Sequence, residues 1–185
     1  MNRKIFIRSF IGLLALIVIS NCSDKSTNPA DTANLSLIQF ADSVYSFSSE
    51  YNNNSWSAKQ ALDTPNVYPR YGDITGTWAS KSQDNIREFL VLGFPKPAPI
   101  SHIAIVETFH PGAVDTLYVR NPSGQWDIVW SGAADTTLAM VSRIFEVSFA
   151  KTNYNVSQIR IAFNSPKIKG WNEIDAVAIS DHSMI

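Results

Sequence analysis

Arg143-Ile-Phe-Glu-Val-Ser-Phe149 and Val156-Ser-Gln-Ile-Arg-Ile-Ala-Phe163 decide the fold. In the first, Phe145, Val147 and Phe149 fall on one side of an extended chain. In the second, Ile159, Ile161 and Phe163 do the same, opposite Glu146, Ser148, Arg160 and Asn164. Apolar residues at a period of two mark strands with one face in a core and one in water. Working outward, runs rich in β-branched and aromatic residues predict strands at 87–94, 100–109, 114–120, 126–130, 143–149, 156–163 and 173–179. Asn121-Pro-Ser-Gly124 and Pro111-Gly112 supply turns, with glycine taking the positive φ that a type II turn needs. No helical period lasts beyond a turn, the one candidate being 57–62. The expectation is an all-β chain folded as an antiparallel β-sandwich.

Hydrophobic residues make up 45% of the 185 residues and charged ones 17%, enough apolar content for one core. The N-terminus reads differently from the rest. A basic head (Arg3, Lys4, Arg8) precedes the apolar run Ile11-Gly-Leu-Leu-Ala-Leu-Ile-Val-Ile19, a signal-peptide layout too short for a membrane span of about 18–20 residues. Ile19-Ser-Asn-Cys22 follows and resembles a bacterial lipobox, although Asn21 stands where a small residue is usual. Residues 1–21 are therefore expected to be a lipoprotein signal peptide, Cys22 the lipid attachment site, and 22–35 a Ser/Thr/Asn tether. This layout puts the sandwich, residues 36–185, in the cell envelope, on the outer membrane and facing the periplasm or the surface, anchored through the N-terminal lipid. Removing those three of the 15 basic residues leaves 12 against 16 acidic, net −4, which argues against nucleic acid as a partner. Cys22 is the only cysteine, so an internal disulfide is ruled out.

Ser48-Ser-Glu-Tyr51, Trp56, Ala61-Leu-Asp63, Thr77-Trp78 and Arg87-Glu-Phe-Leu-Val-Leu92 resemble the first half of a discoidin-like (coagulation factor 5/8 type C) domain. Ile100-Ser-His-Ile-Ala-Ile105, Val156-Ser-Gln-Ile-Arg-Ile161 and Trp171-Asn-Glu-Ile-Asp-Ala-Val177 resemble its later strands. Glu107-Thr-Phe-His-Pro-Gly-Ala-Val114 with Glu173-Ile-Asp-Ala-Val177 is closer still to the discoidin-like domains of pappalysins and of an F-box leucine-rich-repeat protein. The resemblance spans 36–180 and implies a galactose-binding-like jelly roll serving carbohydrate binding or adhesion. The disulfide that joins the ends of many animal members is missing here.

The resemblance also implies one structural Ca2+, with Asp63, Thr77 and Glu173 at the matching positions and loop carbonyls near Gln60 and Asn66 completing six to eight oxygens. The alternative is that Asp63 starts a turn and Glu173 pairs with an arginine.

The long aromatic segment 52–80 is where a site is expected. Trp56, Tyr68, Arg70, Tyr71 and Trp78, with His110 from the 109–112 turn, are the candidate ligand-binding residues. Flat rings stack on sugars while Arg and Asn bond hydroxyls; equally, the rings could only pin the loop to the sandwich. Glu107 and Asp175, in strands, need partners such as Arg87, Arg143 or Arg160.

His102, His110 and His182 lack zinc-type spacing, and neither a nucleophile elbow nor a phosphate-cradling glycine loop is present. Binding to a carbohydrate or an extracellular protein without catalysis is the expectation; a structural or protein-docking module of an envelope complex is the second reading and a hydrolase the third.

Overall fold

The computed structural model describes residues 37–185, so the signal peptide, Cys22 and the tether lie outside the described residues. Ten strands build two antiparallel sheets. Sheet I has the order β1(Ile38–Phe40), β10(Glu173–Ser180), β5(His102–Phe109), β8(Arg143–Ser148), with β3(Trp78–Ala79) also paired to β10. Sheet II has the order β2(Ser43–Phe47), β4(Glu88–Ala98), β9(Val156–Phe163), β6(Val114–Arg120), β7(Trp126–Ser131). The expected sandwich is what forms, and all seven expected strands are present.

Alternation places the core between the sheets. Ile159, Ile161 and Phe163 of β9 are fully buried, beside Leu90 and Leu92 of the adjacent β4, in one apolar cluster with Ile103 and Ile105 of β5 in the other sheet. Phe145 and Phe149 pack against its margin. Pro111-Gly112 turns as expected, with Gly112 at φ +108. β4 runs past its expected end through Pro95 and Pro97. These prolines have no N–H for the ladder, and the pairing with β9 skips from Gly93 to Ala98. The expected turn near 57–62 is a 3-10 helix at Ala58–Ala61.

β10 matters most for the site. Ile174, Val177 and Ile179 all belong to the core, yet a strict period of two cannot point both Ile174 and Val177 inward. The register with β5 shifts between Glu173 and Ile174 and again between Ile174 and Ala176, so a bulge absorbs the extra residue at Asp175. Bulges re-aim side chains. Here the bulge sends the fully buried Asp175 carboxylate to the 66–68 segment.

Candidate functional site

Three loops meet where β10 begins. The first follows β2 and carries Tyr51 and Trp56, the second precedes β3 and carries Asp73, and the third precedes β10 and carries Trp171. Together with Ala79 and Glu173 they line a pocket of about 60 Å³. Tyr51 meets Trp56 and Trp171 edge-on, with ring centroids at 5.6 and 5.5 Å. That volume holds a few water-sized atoms, a substituent rather than a whole sugar ring. Three of the lining side chains carry buried polar atoms without a hydrogen-bond partner: Trp56 Nε1, Trp171 Nε1 and Glu173 Oε1. Buried polar groups are nearly always paired, and unpaired ones cost about 1–3 kcal/mol each, so three around one pocket mark a place built for a partner.

Glu173 is 1% exposed, and its Oε2 accepts from the Thr77 hydroxyl at 2.7 Å. Burial pushes its carboxyl up to about 8; the Thr77 bond opposes this, and the Asp73 carboxyl, within hydrogen-bonding reach, raises it further. Thr77 Oγ1 also lies 3.2 Å from the Ile74 carbonyl. Glu173, Asp73, Thr77 and the Ile74 carbonyl thus offer oxygen only, the donor type that Ca2+ takes, and the unpaired Oε1 fits a cation. The expected calcium set is brought together only in part. Thr77 and Glu173 meet, but exposed Asp63 holds φ +63 and its backbone N–H donates to the Ala41 carbonyl. Its carboxyl makes no hydrogen bond among the described residues, which contain no group of three or more His, Cys, Asp or Glu close enough to share a metal. Asp63 is the turn residue of the alternative reading, and Asp73 is the carboxylate that approaches Glu173.

The expected ligand residues divide. Trp56 walls the pocket, half-buried. Trp78 is corrected: it is fully buried, its ring lies 5.1 Å from Phe163 and its indole N–H donates to the Ser49 carbonyl at 3.0 Å, so it belongs to the core and meets no ligand. Tyr68, Arg70, Tyr71 and His110 sit outside the pocket. Tyr68 is exposed beside the cis Tyr68-Pro69 bond, and Arg70 is exposed with Nε donating to the Val67 carbonyl. Tyr71 packs on Phe109 and its hydroxyl donates to Met140 Sδ, and the His110 ring also stacks on Phe109, with centroids 3.9 Å apart. Tyr51, Asp73 and Trp171 are the pocket residues the sequence reading did not select; Trp171, two residues before Glu173, was the available signal.

The segment beneath them is held by Asp175. Its Oδ1 accepts from Asn66 N–H at 3.1 Å and its Oδ2 from Val67 and Tyr68 N–H at 3.1 and 2.7 Å. Among the described residues no arginine pairs with it. Arg143 instead meets Glu107 at 2.5 Å, and Arg87 meets Asp115 at 2.5 Å.

The two antiparallel sheets form the discoidin-like sandwich, the fold that family 32 carbohydrate-binding modules also adopt. Residues 30–183 match the family described as pappalysin-1 SD scarf domain, C-terminal, and the chain belongs to that family. Among curated proteins it is 25% identical over 195 aligned positions to F-box/LRR-repeat protein 4 of Bos taurus, covering 88% of this chain and 31% of that protein. The chain therefore spans about a third of that relative. Among solved structures, the family 32 module of C. perfringens NanJ in complex with galactose matches with TM-score 0.55 at 18% identity, over 78% of this chain and 99% of that one. Chitosan-binding module 1 from the chitosanase/glucanase of Paenibacillus sp. IK-5 matches with TM-score 0.51 at 16% identity, over 72% and 91%. A chain of reduced XRCC1 bound to the DNA polymerase β catalytic domain matches with TM-score 0.61 at 14% identity, over 80% and 100%. At these identities the likeness is one of fold.

Proposed function

We propose that this chain is a cell-envelope lipoprotein whose sandwich binds carbohydrate, without acting on it chemically, through the pocket walled by Tyr51, Trp56 and Trp171. The observation that carries the reading is the coincidence of three aromatic rings with three unpaired buried polar atoms around one small pocket. Tyr51, half exposed at the rim, offers a ring for stacking against the apolar face of a sugar. A substituent of that sugar enters the pocket, where hydroxyl oxygens accept from the indole N–H groups. The galactose complex of the NanJ module and the chitosan-binding module, both of this fold, support carbohydrate as the ligand class.

Calcium is part of the proposal, held by Glu173 and Asp73 with the Thr77 hydroxyl and the Ile74 carbonyl. When bound, the ion supplies positive charge that offsets the repulsion between the two carboxylates. The chain's own residues do the rest: Asp175 fixes 66–68, Thr77 orients Glu173, and the rings present a fixed surface.

A glycan array probed with the full chain, with and without chelator, tests this. Trp56→Ala with Trp171→Ala is expected to weaken binding of the best glycan by about tenfold or more, as loss of a stacking ring and a hydrogen bond implies. A folded double variant with unchanged affinity, or an array with no signal beside a single envelope protein recovered by pull-down, replaces this reading with protein docking. The anchor is tested separately. Wild-type protein expressed in a lipoprotein-processing bacterium is expected to incorporate labelled palmitate and partition with membranes, and Cys22→Ser to do neither.

A further inference from the structure

The outward face of sheet II is unlike the solvated face of an ordinary sandwich. Its cross-strand neighbours are Val91, Arg160, Tyr118 and Ile128 in one row across β4, β9, β6 and β7. The Arg160 guanidinium lies 4.5 Å from the centroid of Phe89 and 5.7 Å from that of Tyr118. In the next row Arg120 sits opposite Trp126, 5.9 Å from its ring, and its Nη1 donates to Gln158 at 2.8 Å. At the far edge Tyr45, 59% exposed, lies against Gly93, where a Cβ would come within 2.4 Å of the ring. The missing side chain lets the tyrosine lie down on the sheet.

An arginine on a sheet is stabilised by an acidic cross-strand neighbour. Neither of these has one: among the described residues no carboxylate comes within ion-pair distance of Arg160 or Arg120. Neighbouring rings hold each guanidinium in place instead. Such a cation is already ordered and only weakly hydrated, so it loses little on meeting an oxyanion. Strands about 4.8 Å apart set the two arginines at neighbouring positions, between flat apolar rings.

We propose that this face of sheet II binds an acidic polysaccharide, one bearing carboxylate or sulfate groups on its sugar rings. Arg160 and Arg120 take the oxyanions, and Tyr118, Trp126 and Tyr45 take the apolar ring faces. It is a second surface, built from strands of the other sheet and sharing no residue with the loop pocket, and it stands whether or not that pocket binds sugar.

Affinity electrophoresis of the full chain in gels containing polygalacturonate, dextran sulfate, methyl-esterified pectin or dextran tests the proposal. The acidic polymers are expected to retard it and the neutral ones not, with the stronger of the first two showing whether carboxylate or sulfate is preferred. Arg120→Gln with Arg160→Gln should weaken retardation about tenfold or more, the loss of two charge-assisted contacts, while Lys81→Gln, which removes an exposed loop cation away from this face, leaves it unchanged. Arg120→Gln alone, at an exposed position that makes no core contact, should weaken it about threefold and guards against misfolding of the double variant. Retardation undiminished in either folded arginine variant overturns the proposal, as does its absence with both acidic polymers. Equally strong retardation by single-stranded DNA of matched charge overturns it too, in favour of a nucleic-acid surface.

Discussion

Asp175→Ala is expected to lower the free energy of unfolding by about 3–5 kcal/mol, because a buried carboxylate that serves three backbone donors is removed from beneath the loop. Bonds to a charged acceptor contribute about 1.5–3 kcal/mol each, and donors left dry after its loss carry their own penalty. Val67 is itself buried at 1% exposure, so water has poor access to its N–H, whereas Asn66 is exposed and recovers a water bond; this keeps the sum below three full losses. Asp175→Asn should cost less, since one oxygen still accepts, yet its amide NH2 turns donors toward a donor. Chemical denaturation gives the difference, and amide exchange at 66–68 should rise before that of β9. The consequence reaches the pocket, because the 66–72 segment leads into Asp73. Glycan affinity should fall in Asp175→Ala although Asp175 lines no part of the pocket. Wild-type stability in that variant would mean the loop is held by its other contacts, among them the Ser142 hydroxyl donating to the Pro69 carbonyl at 2.6 Å and Gly72 N–H donating to the Thr108 carbonyl at 3.1 Å.

The same residue shows where reading the sequence stopped. Alternation located β8 and β9, and runs of β-branched and aromatic residues located β4 to β7 and β10, patterns that survive any loop arrangement. β1, β2 and β3 have three, five and two residues, too short to show a period, and β2 leaves Tyr45 and Phe47 exposed. They exist because neighbouring strands offer them free edges, a property of the assembled sheet. Asp175 and Glu107 were legible as strand carboxylates in need of partners. Charge alone suggested arginine for both, correctly for Glu107 with Arg143. The bulge that turns Asp175 toward backbone N–H groups depends on which of Ile174 and Val177 the core takes, and it takes both. Trp56, Thr77 and Glu173 stood at recognisable positions. Asp73 did not, because its approach to Glu173 depends on the path of the 63–77 loop, which no local pattern specifies.

Glu173 gives the protein an expected pH response whose sign depends on calcium. With the folded carboxyl at about 8 against an ordinary 4.5, the native state keeps a proton that the unfolded chain has released between those values. Stability from this group is therefore complete below about 4.5 and is lost progressively as pH rises toward 8. In chelator, the melting temperature should fall from pH 5 to pH 8. Burial also raises the Glu107 carboxyl, against the pull of Arg143, so part of that slope belongs to Glu107. Glu173→Gln separates the two, since its neutral amide should flatten the Glu173 share and leave the remainder. Calcium needs the carboxylate, and binding it expels the proton. Added calcium should then raise the melting temperature more at pH 8 than at pH 5, reversing the slope in the wild type and doing nothing in Glu173→Gln. An unaltered slope in the variant would mean the buried carboxyl titrates normally. A slope that flattens without any calcium response would leave Glu173 and Asp73 as a proton-sharing pair, and the pocket would bind its ligand without the ion.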